Sequence, residues 1–351
     1  MNTKPLFELM VQKKASDLFL TTYAPVKIKI DGRIMSVNKQ ELTPKMVKQA
    51  AVGLMNEEQL DQFAQELEID FAVSISGLGR FRVNVFHQRG NVAMVLRYIT
   101  SDLPDLDELN MPEVLKELAM RRRGLVLMVG ATGSGKSTTL AAMINHRNEK
   151  SAGHILTIED PIEFLHPNKS SIVNQREVGT DTLSYHAALR SAMREAPDVI
   201  LVGEIRDRTT MESALALAGT GHLCISTLHA NNSSESLDRI INMFPQAQHN
   251  QILMDLSQYL RAIISQRLVK GKMGSRVAAV EILLNTPHVS EQIRKGDIAS
   301  VKEALEDSSE AGMQTFDASL YELYRAGMID LEQALVNADS RANLEAKINF
   351  G

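Results

Sequence analysis

Up to residue 99 the apolar positions come in short, mostly alternating stretches. Leu6, Leu9 and Met10 recur at helical spacing, and a short strand is expected over 17–20. Val26, Ile28 and Ile30 alternate with Lys27 and Lys29, which describes a strand with one buried and one wet face. Asp31-Gly32 is a hairpin signal leading into a strand over 33–37. Thr43-Pro44 opens a helix carrying Val47, Ala51 and Leu54 on one side, and a second helix is expected over 57–67. Strands follow over 71–74, 80–88 and 92–99. In the middle one Phe81, Val83 and Val85 face one way and Arg80, Arg82 and Asn84 the other. Residues 1–99 thus read as a small α+β module with its own core and a mostly antiparallel sheet.

The pattern changes after that. Residues 100–112 hold Pro104 and Pro112 among Asp102, Asp105, Asp107 and Glu108, a stiff polar linker and the expected domain boundary. A helix over 113–120 introduces the run 125–129, which is apolar throughout, as a strand buried on both faces must be. Further strands are expected over 154–158, 172–174, 199–202 and 223–227, with helices over 185–194 and 209–218. Alternation of this kind builds an α/β domain with a mainly parallel sheet covered by helices, over 113–351. From residue 250 the chain reads as a long amphipathic helix over 251–264, a strand over 276–284 and short helices to 348. Leu320, Leu323 and Tyr324 mark a packed face there, and the polar end from 337 is expected to be loosely held.

Composition narrows the class. A chain of 351 residues suffices for two domains, and its 44% apolar and 23% charged residues are ordinary for a soluble globular protein. The net charge of −5 gives no general attraction to nucleic acid or anionic lipid. Cys224 is the single cysteine, so an internal disulfide and a Cys-x-x-Cys metal site are both excluded. The start of the chain lacks an apolar signal core, and no apolar run approaches the ~20 residues of a membrane span. A cytoplasmic protein is expected.

Candidate chemistry begins where the buried run ends. Gly130-Ala131-Thr132-Gly133-Ser134-Gly135-Lys136-Ser137 fits G-x-x-x-x-G-K-[ST] between a predicted strand and a predicted helix, the context that motif requires. The glycines let backbone N–H groups turn inward at a helix N-terminus, which makes a cradle for phosphate oxygens. Gly130, Thr132, Gly133, Ser134, Gly135, Lys136, Ser137 and Thr138 are therefore the expected nucleotide-binding residues. Lys136 supplies charge to the β- and γ-phosphates, and the Ser137 hydroxyl is a ligand for Mg²⁺.

The ends of the other predicted strands carry further polar groups. Glu159, Asp160 and Glu163 follow the strand over 154–158. They are candidates for holding Mg²⁺ or orienting a water, or else an ordinary acidic loop. The run 199–202 ends in Gly203-Glu204, a Walker-B pattern with glycine where the metal-holding Asp usually stands. Glu204 is thus expected to hold a metal-bound water or to activate the attacking one. His222 and His229 flank the strand over 223–227. With no third ligand evident, zinc is disfavoured, leaving γ-phosphate sensing or a structural histidine. Arg190 and Arg194 share a predicted helix face. Arg82 and Arg97 lie on predicted strands of the first module, either as solvated sheet charges or as arginines offered to a neighbouring subunit's nucleotide.

Taken in order, GATGSGKSTT, TIEDPIEF, PDVILVGEIRD and ISTLHANN resemble the secretion-superfamily hexameric ATPases, and among these the type IV pilus retraction ATPases of the PilT/PilU group. The resemblance spans essentially the whole chain. It implies a homohexameric ring of subunits, each with a PAS-like N-terminal domain and a RecA-like P-loop motor domain. It implies ATP and Mg²⁺ as ligands, and a place at the cytoplasmic face of the inner membrane, at the pilus base, against the pilus platform protein. Carried over by motif, Glu163 and Glu204 become catalytic carboxylates, His222 and His229 form the His box, and Arg82 and Arg97 fall where phosphate-contacting arginines lie. The absence of a tetracysteine insertion favours the retraction branch. Ala131 stands where a proline is common, a conservative change. The residues after Thr286-Pro287 depart from the Ala-Ile-Arg-Asn-Leu-Ile-Arg-Glu-like motif of independent retraction motors. That departure makes the chain resemble the accessory branch, which works with a principal retraction ATPase.

Two other readings fit parts of this pattern. One is a nucleic-acid-translocating RecA-type ATPase, which the acidic net charge and the missing basic, aromatic-rich groove weigh against. The other is an ATP-binding structural ring component, against which the full catalytic set argues.

Overall fold

The computed structural model describes residues 3–350 except Asp31, Met273 and Ser309. The turn expected at Asp31-Gly32 includes Asp31, which lies outside the described residues. The chain divides into two units. One runs to Asp102 and includes Glu163–Leu165; the other comprises Leu103–Ile162 and the chain from His166 onward.

The first unit contains α1 (Lys4–Gln12), β1 (Asp17–Leu20), β2 (Pro25–Ile30), β3 (Arg33–Glu41), α2 (Pro44–Val52), α3 (Glu57–Glu66), β4 (Glu68–Ile75), β5 (Gly79–Gln88) and β6 (Asn91–Ile99). The strands pair antiparallel in the order β3-β2-β1-β6-β5-β4. Local chemistry sets the helix starts. The Thr43 hydroxyl accepts from Met46 N–H ahead of Pro44, and Asn56 with Gln59 forms a reciprocal capping box. Phe81, Val83 and Val85 are buried, as their alternation requires, and the Phe7 ring meets Phe81 edge-on with centroids 4.5 Å apart.

The second unit contains α4 (Val114–Ala119), β7 (Gly124–Val129), α5 (Lys136–Lys150), β8 (Gly153–Glu159), β9 (Ser171–Glu177), α6 (Tyr185–Ala192), β10 (Val199–Val202), α7 (Arg208–Gly219), β11 (Leu223–Leu228) and α8 (Ser233–Asn242). Next come α9 (His249–Tyr259), β12 (Leu260–Lys270), β13 (Arg276–Leu284), α10 (Pro287–Lys295), α11 (Ile298–Glu306), α12 (Phe316–Arg325), α13 (Leu331–Asn337) and α14 (Arg341–Phe350). The sheet order is β13-β12-β7-β11-β10-β8-β9, parallel except where β13 turns back on β12. Every residue of β7, β10 and β11 is buried. Along β7, Leu125, Leu127 and Val129 face a core with Leu189, Met211, Leu237 and Leu256. Val126 and Met128 face Leu115, Leu140, Met143 and Ile144 on the other side. Helices on both faces are what a near-continuous apolar strand demands.

Three expectations need correction. The helix over 251–264 stops at Tyr259, and Leu260 begins β12. Pairing of Leu260–Ser265 with β7, and of Ala262–Lys270 with β13, overrides the helical spacing. Helix α6 ends at Ala192, so Arg194 lies in the following turn and does not share a helix face with Arg190. Helix α8 forms in a stretch where the sequence pattern marks no element. The C-terminal end is anchored: Leu344 is 1% exposed, the Arg267 guanidinium lies over the Phe316 ring, and Asp339 pairs with Arg267. Within 103–112, Leu106 and Met111 are buried against the core that holds Leu115 and Leu140.

Candidate functional site

The phosphate loop leaves the end of β7 at Gly130 and enters α5 at Lys136. Two glycines are dictated by geometry. Gly130 has φ 150°, and a Cβ there would stand 2.5 Å from the Gln266 carbonyl oxygen and 2.6 Å from Ser134 Oγ. Gly135, the residue before α5, has φ 86°, and its Cβ would meet Gln266 Nε2 at 2.7 Å. Ser134 and Lys136 are buried, and Ser137 and Thr138 are half-buried on the first turn of α5. Lys136 Nζ donates to the carbonyls of Gly130 at 2.8 Å and Ala131 at 3.0 Å, so the ammonium is tethered to its own loop. A cavity of about 310 Å³ opens along Gly130–Ser134, and Asn231, Arg276 and Asn337 also line it.

Three neighbouring strands deliver polar groups to the same edge of the sheet. β7 ends in the phosphate loop, β11 ends before His229, and β10 ends before Gly203-Glu204. Glu204 is largely shielded. Its Oε1 lies 2.9 Å from His229 Nε2, and its Oε2 accepts from Arg206 Nε at 2.6 Å. That bond to Glu204 raises the Arg206 pKa further, so the guanidinium stays charged. Arg206 also lies 3.8 Å from Asp160.

Gly203 has a spatial explanation. A Cβ there would stand 2.9 Å from the Tyr185 hydroxyl and 3.2 Å from Ile158 O and Glu159 Cα. The space for a Walker-B aspartate is taken by Tyr185, whose hydroxyl pKa is pushed up by burial and then by Asp160. Glu159 is engaged at the end of β8, where Thr157 Oγ1 and Gln175 Nε2 donate to its Oε1 at 2.6 Å and 3.2 Å.

The remaining expected residues fall elsewhere. His222 precedes β11, at the opposite end of that strand from His229. Its Nδ1 sits 3.2 Å from both Leu217 O and Thr220 Oγ1. Glu163 is exposed and belongs to the first unit, where Phe164 bridges Thr100. Arg82 and Arg97 also belong to that unit. Arg82 Nε donates to both Asp70 oxygens at 2.9 Å and 2.8 Å, and Arg97 Nε donates to Asp17 Oδ1 at 2.8 Å. Arg190 and Arg194 are exposed.

A residue that spacing did not single out stands under the loop. Gln266 on β12 is 2% exposed; its Nε2 donates to Ser134 O at 2.8 Å and its Oε1 accepts from Thr139 Oγ1 at 2.8 Å. The one signal in the sequence is an amide that follows the apolar run 262–264 and Ser265. The donor set also fits a hydrated cation. Among the described residues no group of three or more His, Cys, Asp or Glu is placed to hold a metal ion. A single hydroxyl such as Ser137 suits Mg²⁺, which takes most of its ligands from substrate phosphates and water.

Known proteins share this arrangement of sequence and fold. The model of a family described as type II/IV secretion system protein matches residues 2–333. The type IV pilus ATPase PilU of Pseudomonas aeruginosa is 51% identical over 352 residues, covering 100% of this chain and 92% of that protein. The type IV pilus retractation ATPase PilT of the same organism is 43% identical over 334 residues, covering 95% and 97%. A crystal structure of the pilus retraction motor PilT with bound ADP matches with a TM-score of 0.91 at 41% identity, covering 98% of this chain and 99% of that one. The Legionella pneumophila ATPase DotB matches with a TM-score of 0.79 at 27% identity, covering 95% and 94%.

Proposed function

The chain belongs to the type II/IV secretion system protein family and, within it, to the type IV pilus retraction ATPases; on that premise we propose how its residues drive retraction. The supporting observation is the shared edge of β7, β11 and β10, which brings the phosphate loop, His229 and Glu204 to one side of the sheet. The loop amides and the α5 N-terminus bind the phosphates, with Thr132, Ser134 and Thr138 lining the cradle. Lys136 places its charge on the β- and γ-phosphates. Ser137 would hold Mg²⁺, which would supply positive charge against the phosphates. Glu204 orients and activates the attacking water, and His229 and Arg206 fix which way its carboxylate points. Glu163 is the second catalytic carboxylate, His222 the other member of the His box, and Arg82 and Arg97 supply charge to phosphate, following the family motif.

The active form on this proposal is a homohexamer acting on the pilus platform protein at the cytoplasmic face of the inner membrane. Among the described residues no helix is long and apolar enough to cross a membrane. The role is accessory to a principal retraction motor. The segment after Thr286-Pro287 supports this: α10 carries His288, Ser290 and Glu291, with Glu291 paired to Arg294 and Lys295.

Phosphate release by the purified chain tests the activity, and Lys136→Ala is expected to lower it by about 10²–10³. Wild-type protein that releases no phosphate with ATP and Mg²⁺ ends this reading. Pilus retraction in cells tests the accessory role. Cells with this motor alone are expected not to retract, and retraction is expected when a principal motor is restored.

A further inference from the structure

We propose that a buried polar relay along β12 and β13 couples the phosphate loop to the loop carrying His229, with Gln266 and Glu281 as its positioning residues. The inference rests on the ATPase reading above. Ser265 and Gln266 are neighbours on β12, so their side chains point to opposite faces of the sheet. Gln266 grips the loop through Ser134 O and Thr139 Oγ1. Ser265 Oγ donates to Glu281 Oε1 at 3.0 Å, and Glu281 stands directly across from Ser265 on β13. The same carboxylate oxygen accepts from Ser233 N–H at 2.8 Å and from the Ser233 hydroxyl. Ser233 is the first residue of α8, and the turn from His229 to Asn232 joins it to β11.

All five side chains are buried: Ser265 is 0% exposed, Thr139 1%, Gln266 and Ser233 2%, and Glu281 5%. Replacing these groups together by apolar ones of similar shape could leave stability nearly unchanged, whereas removing one leaves its partner buried and unpaired. A satisfied polar chain in an apolar core gives a fixed geometry instead. Here that geometry joins the two ends of the site. A shift of Ser134 on phosphate binding acts on Gln266, hence on the position of β12, and through Ser265 and Glu281 on the start of α8. His229, and with it the Glu204 carboxylate, follows.

The test uses full-length Gln266→Leu, Glu281→Gln and the double variant. It reads kcat and KM for phosphate release, MgADP affinity by displacement of a fluorescent nucleotide, and the thermal midpoint. Glu281→Gln is expected to leave MgADP affinity within about twofold of wild type and to lower kcat by about tenfold. Gln266→Leu is expected to raise KM as well. The double variant is expected to have a kcat no lower than the worse single one, because both break one chain. Wild-type kcat in folded Glu281→Gln, or fully additive losses in the double variant, overturns the relay while leaving the ATPase reading intact. Should Glu281→Gln fail to fold, Ser265→Ala removes one of the three donors and carries the same expectations. Failure of wild-type protein to release phosphate would sink the ATPase reading itself.

Discussion

The phosphate loop and the β12–β13 pair meet at Gln266, yet the chain specifies them differently. The loop is local. Its glycines, Lys136 and Ser137 are contiguous, and each is needed for a reason visible from its neighbours in sequence. The strand pair is not local. Gln266 reaches Thr139 across 127 residues and Ser134 across 132, and Glu281 reaches Ser233 across 48. The site therefore has two layers. Contiguous residues supply the chemistry, and distant residues hold that chemistry in place.

Substitutions in the two layers should differ in the stability they cost. Gly130→Ala should cost most, about 3 kcal/mol, because the new Cβ falls 2.5 Å from the Gln266 carbonyl at a φ of 150°. Urea unfolding and nucleotide titration measure it; a stable, nucleotide-binding variant would show that loop and strand are not in tight contact. Gly203→Ala should cost about 1–3 kcal/mol by pressing on the Tyr185 hydroxyl 2.9 Å away, with part recovered in a Tyr185→Phe background. No recovery would place the strain at Ile158 and Glu159 instead. Thr139→Val preserves shape but leaves Gln266 Oε1 without its donor, for a loss of about 1–2 kcal/mol and a raised KM. An unchanged KM would mean the brace is structural only. Arg97→Ala should cost about 1 kcal/mol: the arginine side chain is 64% exposed, but its partner Asp17 is 6% exposed and would be left with the Ser16 hydroxyl and Lys29. On the proposed phosphate role its turnover nevertheless falls by about 10³. Unchanged turnover would return Arg97 to the role of a sheet-face ion pair.

Much of the fold can be read from the sequence because period and burial agree. Phe81, Val83 and Val85 alternate and are buried, and the run before Gly130 is apolar throughout and buried throughout. The Walker-B-like strand is legible for the same reason, and the acid at its end marks Glu204. The features that sequence spacing does not show depend on partners elsewhere in the chain. Residues 260–264 carry a helical apolar spacing, but β7 and β13 offer unpaired backbone on both sides, and pairing wins over spacing. The chain beyond 337 looks polar, yet Leu344 and Ile348 seat α14 against the cluster that holds Phe316 and Leu320. His222 and His229 flank one strand in sequence, but a strand separates its two ends in space, so His229 meets Glu204 while His222 bonds near Leu217.

Glu204→Gln separates nucleotide binding from turnover. Affinity for ATP with Mg²⁺ and the rate of phosphate release should be measured on the same preparation. Near-wild-type affinity is expected with a turnover lower by about 10²–10³, because the change removes the base but leaves the phosphate loop whole. Wild-type turnover in Glu204→Gln would contradict it.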